Sequence, residues 1–361
     1  MAPSFHNDDK VLMRGVEEML ASRRKLGLEG LAGDLSAATI CVEQDRLQPA
    51  AEELLASTGF DVRSAFEDDR AFCIVLGLDG SADLILYARK EQDNPFRAFN
   101  TRPKSGHLPN TRLETFIFET PDLARYVHIQ QLRGTQFHEA GVVETPGYFY
   151  IQTQPSRYTG AALGFIQWKG QKGAYETRGA KALDVRIEKP DAAHLRNIGA
   201  LDHTATRVRA QDRDKAILEF MSLTNYDFQF AIYVNSLNSI TSVARLAGAG
   251  YAQVFTSGVE PFTTVEASGP TERFILNYGT RVHHMAFVAE DIDETVAKLK
   301  ADGMGFLSDL VGSPEEGLQQ AFSDASPHTL LVNEYIRRYG DFDGFFTKSN
   351  VTALTRATDK Q

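Results

Sequence analysis

The pattern of apolar and polar residues switches between two periods along the chain, and the switch repeats about four times. Continuous or alternating apolar runs are typical of strands, and apolar residues three and four positions apart are typical of amphipathic helices. Each copy opens with an apolar strand, continues through an amphipathic helix and closes with two or three further strands. The copies begin near Ala37, Leu113, Leu201 and Arg281. The pattern indicates one supersecondary unit used four times.

A βαβββ unit used in pairs can curl into a half-open barrel that holds a ligand on its concave face. We therefore predict an α+β fold of repeated βαβββ modules forming two half-open barrel domains. The module helices are predicted at residues 47–57, 121–132, 212–223 and 291–301, with a further N-terminal helix within residues 8–30. The expected organisation is an N-terminal helical segment (1–35), a first domain (36–168), a linker (169–199) and a second domain (200–361).

Charge and cysteine content narrow the classes of partner. Acidic residues outnumber basic ones, 48 to 38, which disfavours nucleic acid. No apolar run approaches the roughly 20 residues needed to span a bilayer, and the polar N-terminus lacks the apolar core of a signal peptide. We expect a cytoplasmic protein without membrane contact, in which Cys41 and Cys73 pack in strands rather than pair. The basic run at residues 23–25 is expected to face solvent.

With only two cysteines, any metal ion must be bound by histidine and carboxylate. His203 and His284 hold matching places in the opening strands of the third and fourth copies. Because side chains alternate along a strand, His203 should share a face with Leu201 and Ala205. The same rule places His284 with Val282 and Ala286, and His283 on the opposite face. Alternation alone does not decide which of the two adjacent histidines is the ligand.

Glu334 lies within an otherwise apolar strand near the end of the fourth copy. A lone carboxylate there is costly to bury unless a metal ion, an arginine or hydrogen bonds compensate it. Two imidazoles and one carboxylate leave open positions on an octahedral ion, which suits iron(II) and dioxygen chemistry. The competing interpretation is structural: His203 would pair with Asp202, and Glu334 with a neighbouring arginine.

Several segments in order resemble 4-hydroxyphenylpyruvate dioxygenase and 4-hydroxymandelate synthase, within the vicinal oxygen chelate (glyoxalase–dioxygenase) superfamily. The resemblance covers about residues 200–350, through residues 201–203, 236–239, 282–287, 290–292, 305–308, 318–322, 333–338 and 344–345. It implies that Fe(II) is the cofactor and that His203, His284 and Glu334 are its ligands. It also implies a non-catalytic N-terminal domain and a homo-oligomer.

In the implied reaction, a small-molecule 2-oxo acid reacts with dioxygen and is decarboxylated and hydroxylated. The leading candidate substrate is an arylpyruvate such as 4-hydroxyphenylpyruvate. The substrate contacts implied by the resemblance are Ser239, Gln320, Phe322, Phe345 and His283.

The chain departs from the family in four respects. His283 replaces the family's glutamine, and Val259 replaces a substrate-side asparagine. The interval from His284 to Glu334 is 50 residues (334 − 284), which is shorter than in the family. The C-terminal gating helix is also expected to be short. A different 2-oxo acid is therefore open as the substrate.

Two alternatives use the same module. Extradiol catechol cleavage employs the same triad, but it needs a base near the ring, a role for which His283 is the candidate. A non-catalytic ligand-binding protein of the superfamily would need no redox metal. Glyoxalase-type isomerisation fits less well, because it usually needs a second carboxylate on the metal.

Overall fold

The computed structural model describes residues 5–90, 93–342 and 344–361. The helices are α1 (Asp9–Leu26), α2 (Leu47–Ser57), α3 (Leu123–Leu132), α4 (Arg213–Leu223), α5 (Pro270–Tyr278), α6 (Ile292–Ala301) and α7 (Lys348–Ala357). The strands of the first half are β1 (Leu35–Cys41), β2 (Asp61–Glu67), β3 (Ala71–Gly77), β4 (Asp83–Arg89), β5 (Arg112–Glu119), β6 (Val143–Glu144), β7 (Tyr148–Gln152), β8 (Ala162–Trp168) and β9 (Lys181–Ala182). Those of the second half are β10 (Ile198–Arg207), β11 (Asp227–Val234), β12 (Ser239–Arg245), β13 (Ala252–Ser257), β14 (Arg281–Ala289), β15 (Val311–Ser313), β16 (Leu318–Ala325) and β17 (Val332–Arg338).

The predicted βαβββ module is present four times, and the predicted fold class is confirmed. The modules are β1-α2-β2-β3-β4, β5-α3-β6-β7-β8, β10-α4-β11-β12-β13 and β14-α6-β15-β16-β17. In each module the first strand pairs parallel with the last, as in β10 with β13 and β14 with β17. The first strands of two successive modules pair antiparallel, so each pair of modules forms one curved sheet with an approximate two-fold relation.

The strand order of the second sheet is β11-β12-β13-β10-β14-β17-β16-β15. Its three central strands, β10, β14 and β17, therefore lie side by side and carry the three predicted metal ligands. The first sheet has the order β6-β7-β8-β5-β1-β4-β3-β2-β9, in which β9 adds an edge strand. The predicted linker thus contributes a short strand to the first sheet.

The largest apolar core is shared between the two halves of the chain. The ring of Phe118 on β5 lies 5.8 Å from Phe220 on α4 and 5.5 Å from Tyr226. The hydroxyl of Tyr126 on α3 donates a hydrogen bond of 2.7 Å to the carbonyl of Leu223. Burial of these large rings against the other half joins the two sheets into one packed unit.

The N-terminal helix is confirmed, and it ends earlier than the outer limit of the predicted range. Asp8 caps its start by accepting from the backbone N–H of Lys10 at 2.9 Å. Gly27 ends it in the left-handed conformation at φ 69°, which glycine adopts without steric cost. The expectation that residues 23–25 all face solvent is wrong for Arg23, which is 4% exposed and packs against the second half.

Helix α5 was not predicted from the sequence. It is nine residues long, and Pro270 occupies its first turn, where the missing N–H of proline is tolerated. Both cysteines are free thiols, as predicted. Among the helices of the described ranges, none combines the length and the apolar character needed to cross a membrane.

Candidate metal centre

Three adjacent strands bring His203, His284 and Glu334 together. His203 on β10 and Glu334 on β17 both pair with Ala286 of the intervening strand β14, and His284 lies two residues before Ala286. All three side chains are buried, with exposed fractions of 0%, 7% and 1%. Their candidate ligand atoms lie within 4.8 Å of one another. The residues that the sequence predicted as a triad therefore form one compact cluster.

A β-bulge in β10 sets the direction of His203. Leu201 pairs with Phe287 and His203 pairs with Ala286, so Asp202 is an extra residue on its strand. A bulge of this kind turns two successive side chains toward one face. Leu201 consequently lies in the shared apolar core, and the prediction that it has the same face as His203 is wrong.

A second bulge occurs at the matching place in β14. Ala205 pairs with His284 and Thr206 pairs with Val282, so His283 is the extra residue. Val282 lies in the shared core, whereas His283 and His284 both line the cavity beside the triad. Strict alternation had placed Val282 with His284 and His283 opposite, and the bulge overturns both predictions.

Asp202 fixes the orientation of His203. Its Oδ1 lies 2.7 Å from Nδ1 of His203, and Arg338 contacts the same carboxylate at 2.7 and 3.0 Å. Burial alone would raise the pKa of Asp202, but these two partners hold it well below its usual range. The carboxylate is therefore ionised and accepts the Nδ1 proton, so Nε2 is the nitrogen of His203 that would bind a metal ion.

His283 performs the corresponding task for His284. Its Nδ1 lies 2.8 Å from Nδ1 of His284, and its Nε2 lies 2.8 Å from the side-chain oxygen of Gln361. Burial lowers the pKa of His283 well below its usual value, so the ring is neutral. If Nε2 of His284 binds a metal ion, His284 donates from Nδ1 to His283, which donates from Nε2 to Gln361.

One of the two carboxylate oxygens of Glu334, Oε1, is fixed by a hydrogen bond. The side-chain amide of Gln320 donates to Oε1 of Glu334. The side-chain amide of Asn350 on α7 in turn donates to the side-chain oxygen of Gln320 at 3.0 Å. Burial opposes ionisation of Glu334, but His203 and His284 outweigh it and lower its pKa to about 2. The second oxygen, Oε2, is left to face the two imidazoles.

The free atoms of the triad converge on one point. Oε2 of Glu334 lies 3.2 Å from Nε2 of His203 and 3.1 Å from Nε2 of His284. Although Oε2 of Glu334 lies 3.2 Å away, its direction does not give a hydrogen bond. Nε2 of His203 is therefore buried without a hydrogen-bond partner in the described part of the chain. Two ligand atoms at right angles about an ion roughly 2.1 Å away are about 3 Å apart. The three donors therefore fit one metal ion of the kind that nitrogen and oxygen ligands hold.

Aromatic rings pack against the two histidines of the triad. The ring of Phe322 lies 4.7 Å from that of His284, and the ring of Phe346 lies 5.1 Å from that of His203. Phe345 packs beside Phe346, and its ring lies 5.5 Å from that of His203. Residues of α7 close the cavity, whose volume is about 50 Å³. A larger cavity of about 440 Å³ lies between the two halves and contains no member of the triad.

The remaining predicted contacts occupy different positions. Gln320, Phe322 and His283 line the cavity. Ser239 lies at the start of β12, where its hydroxyl is 3.4 Å from that of Thr271, a cavity residue. Val259 is buried in the loop before α5, and its carbonyl accepts from the backbone N–H of Asn7 at 2.9 Å.

Sequence reasoning missed three residues near the site. Arg207 follows His203 by four positions on the same strand and lines the cavity, which alternation could have revealed. Asn350 and Gln361 reach the site from the C-terminal segment, and nothing in their local sequence indicates that contact.

No family model matches the chain, and no curated protein matches it. Among solved structures, a triple mutant of 4-hydroxymandelate synthase from Streptomyces coelicolor superposes with a TM-score of 0.67 at 18% identity, over 91% of this chain and 99% of that one. A fusion of a xylose isomerase-like TIM barrel with 4-hydroxyphenylpyruvate dioxygenase gives a TM-score of 0.64 at 13% identity, over 95% of this chain and 57% of the fusion. The chain therefore has the fold that the sequence resemblance implied, that of 4-hydroxymandelate synthase.

Proposed function

We propose that this protein is an Fe(II)-dependent dioxygenase that acts on a 2-oxo acid. The proposal rests on one observation: Oε2 of Glu334 lies 3.2 Å from Nε2 of His203 and 3.1 Å from Nε2 of His284, and the opposite atom of each side chain is anchored by a separate partner. Two histidines and one carboxylate on one side of an ion leave its other side open for substrate and dioxygen.

Iron(II) in this site would supply a chelation point for the 2-oxo acid and the activation of dioxygen that decarboxylation and hydroxylation require. The protein's own residues set the geometry. Asp202 and His283 hold the imidazole rings, and Gln320 holds the carboxylate of Glu334. Phe322 and the residues of α7 exclude water, which protects reactive species and strengthens the electrostatic interactions in the cavity.

The surroundings of His283 favour this function over extradiol ring cleavage. A base for catechol needs a lone pair that is free to take a proton. Nδ1 of His283 is engaged by His284, and its Nε2 faces the oxygen of Gln361. Neither nitrogen is left for a substrate proton, so the candidate base is occupied.

Oxygen consumption and carbon dioxide release by the iron-loaded protein test the proposal. We expect equal amounts of both with at least one member of a panel of aryl and aliphatic 2-oxo acids, and none with catechol. The variant Glu334→Ala should abolish both, whereas Glu290→Ala, at an exposed position, should have no effect. Oxygen uptake with catechol alone would point to ring cleavage, and no uptake with any compound would point to a binding protein.

A further inference from the structure

Arg207 shares the cavity with the metal ligands. It ends β10, four residues after His203, and it lines the cavity together with His284 and Glu334. Four residues of extended strand separate the two Cα atoms by about 13 Å. The long side chain of an arginine can bring its guanidinium closer to the site than its own Cα atom. Arg207 also acts electrostatically on His283 and His284. The guanidinium is therefore a neighbour of the site rather than a remote surface group.

The charge of Arg207 lacks a carboxylate partner within the described residues. Its side chain is 4% exposed and makes one hydrogen bond, at 3.5 Å, to the carbonyl of Pro270. The guanidinium lies 4.4 Å from the ring centre of Phe274. Burial lowers the pKa of Arg207 to about 9, so the group is charged at neutral pH. A buried cation without a compensating anion is costly, and buried charges in proteins are usually paired.

Two other buried arginines of the chain are paired with carboxylates. Arg23 pairs with Asp227, and Arg213 pairs with Asp9. Arg112 and Arg281 have no carboxylate partner, but each hydrogen-bonds to a backbone carbonyl at 3.0 and 2.8 Å, and neither lines the metal cavity. Arg207 alone among these five faces the space where a substrate would lie.

Hydroxyl groups surround Arg207 on the cavity wall. Thr256 is its register partner on β13, and Thr241 is in turn the partner of Thr256 on β12. Oγ1 of Thr256 is buried without a hydrogen-bond partner in the described ranges. Thr271 lies in the first turn of α5, a helix end whose free N–H groups favour negative charge. One cation, two hydroxyls and a helix N-terminus form a site for a carboxylate.

We propose that Arg207, with Thr256 and Thr271, binds a second carboxylate of the substrate, which is a 2-oxo dicarboxylic acid. This inference rests on the proposed function, because the first carboxylate and the keto oxygen are assigned to the metal ion. A neutral phenol, as in 4-hydroxyphenylpyruvate, would leave the Arg207 charge buried and unpaired.

Anaerobic calorimetric titration of the iron-loaded protein tests the inference with matched ligands. We expect 2-oxoadipate to bind about tenfold or more tightly than 2-oxohexanoate, which has the same chain length and one carboxylate fewer. Arg207→Gln should reduce the difference to about threefold or less, and Arg207→Lys should restore part of it. Iron content should be the same in all three proteins, which separates loss of the anion site from loss of the metal.

The same titration on metal-free protein with adipate and hexanoate separates this inference from the proposed function. Preference for adipate that depends on Arg207 would support the anion site even if no 2-oxo acid is oxidised. Arg207→Gln should fold with unchanged or higher thermal stability, because it removes a buried unpaired charge. Thr256→Val provides a second variant and should weaken 2-oxoadipate about threefold or more. Equal affinities for the two 2-oxo acids, or equal losses for both in Arg207→Gln, would overturn the inference.

Discussion

At the residue scale, each candidate metal histidine donates its outer hydrogen bond to the residue before it. Asp202 serves His203, and His283 serves His284, and both partners are the extra residues of matching β-bulges. The two partners differ in charge, because Asp202 is an ionised carboxylate and His283 is a neutral ring. The site therefore has one strongly and one weakly polarised imidazole.

Removing the charged partner should weaken metal binding without abolishing it. We expect Asp202→Asn to lower Fe(II) affinity about 10- to 100-fold, because the amide orients His203 less well and makes it a poorer donor. Competition with a chromophoric chelator under anaerobic conditions measures the change. Asp309→Asn, at a 99% exposed side chain, is the matched control. Unchanged affinity in Asp202→Asn would show that the bulge partner does not support the ligand.

The three members of the candidate triad could be picked out from the sequence, but the geometry that brings them together could not. Matching strand positions indicated His203 and His284, and the apolar strand around Glu334 made its carboxylate conspicuous. The choice of His284 over His283 needed the family resemblance. Alternation failed at Leu201 and at Val282 because a bulge adds one residue without disturbing the apolar pattern.

At the element scale, α1 joins the N-terminal segment to the second half of the chain. Arg23 extends from the last turn of α1 and donates to the carbonyls of Thr224 and Tyr226 at 3.0 and 2.9 Å. It also pairs with Asp227 at the start of β11. These contacts hold the loop between α4 and β11, which leads into the strands that form one side of the cavity.

Truncation of Arg23 should destabilise the protein more than truncation of its neighbour. We expect Arg23→Ala to cost roughly 2–4 kcal/mol, because it leaves buried carbonyl groups without donors. Arg24→Ala, at an exposed position of the same helix, should change stability by about 0.5 kcal/mol or less. Urea unfolding followed by circular dichroism measures both. Similar values for the two variants would refute the role of Arg23.

The four module helices could be predicted to within about two residues, because each has sustained helical spacing beside an apolar strand. Helix α5 could not be predicted because it is only nine residues long. Its packing surface is evident only in the folded chain, where Phe274 contacts Arg207. The expectation for Arg23 failed for a related reason. A basic run indicates solvent exposure unless tertiary contacts bury one member, and sequence periodicity does not report such contacts.

At the scale of the whole molecule, the two halves share one apolar core and should unfold together. Phe118, 0% exposed on β5, contacts rings of the second half. We expect Phe118→Ala to cost about 3–5 kcal/mol and to shift the unfolding of both halves equally. Fluorescence of Trp168, the only tryptophan, reports on the first sheet, and circular dichroism reports on the whole chain. Separate transitions for the two signals would contradict a common core.

The fold class could be predicted because the apolar pattern of the sequence repeats once for each of the four modules. The contact between the two sheets could not. Phe118 and Tyr226 contact rings of their own modules as well as each other, and the apolar pattern does not distinguish the two kinds of contact. The proposed anion site could not be predicted for the same reason. Arg207, Thr256 and Thr271 lie on three different elements, and only the folded chain brings them together.

The central claim is that His203, His284 and Glu334 together hold one iron ion, and metal stoichiometry tests it most directly. After anaerobic reconstitution with Fe(II) and removal of excess metal, the unchanged protein should contain about one iron per chain. His203→Ala, His284→Ala and Glu334→Ala should each contain almost none while keeping the circular dichroism of the folded protein. His138→Ala, at an exposed histidine, should retain the full amount. Full iron content in any folded variant of the triad would contradict the account.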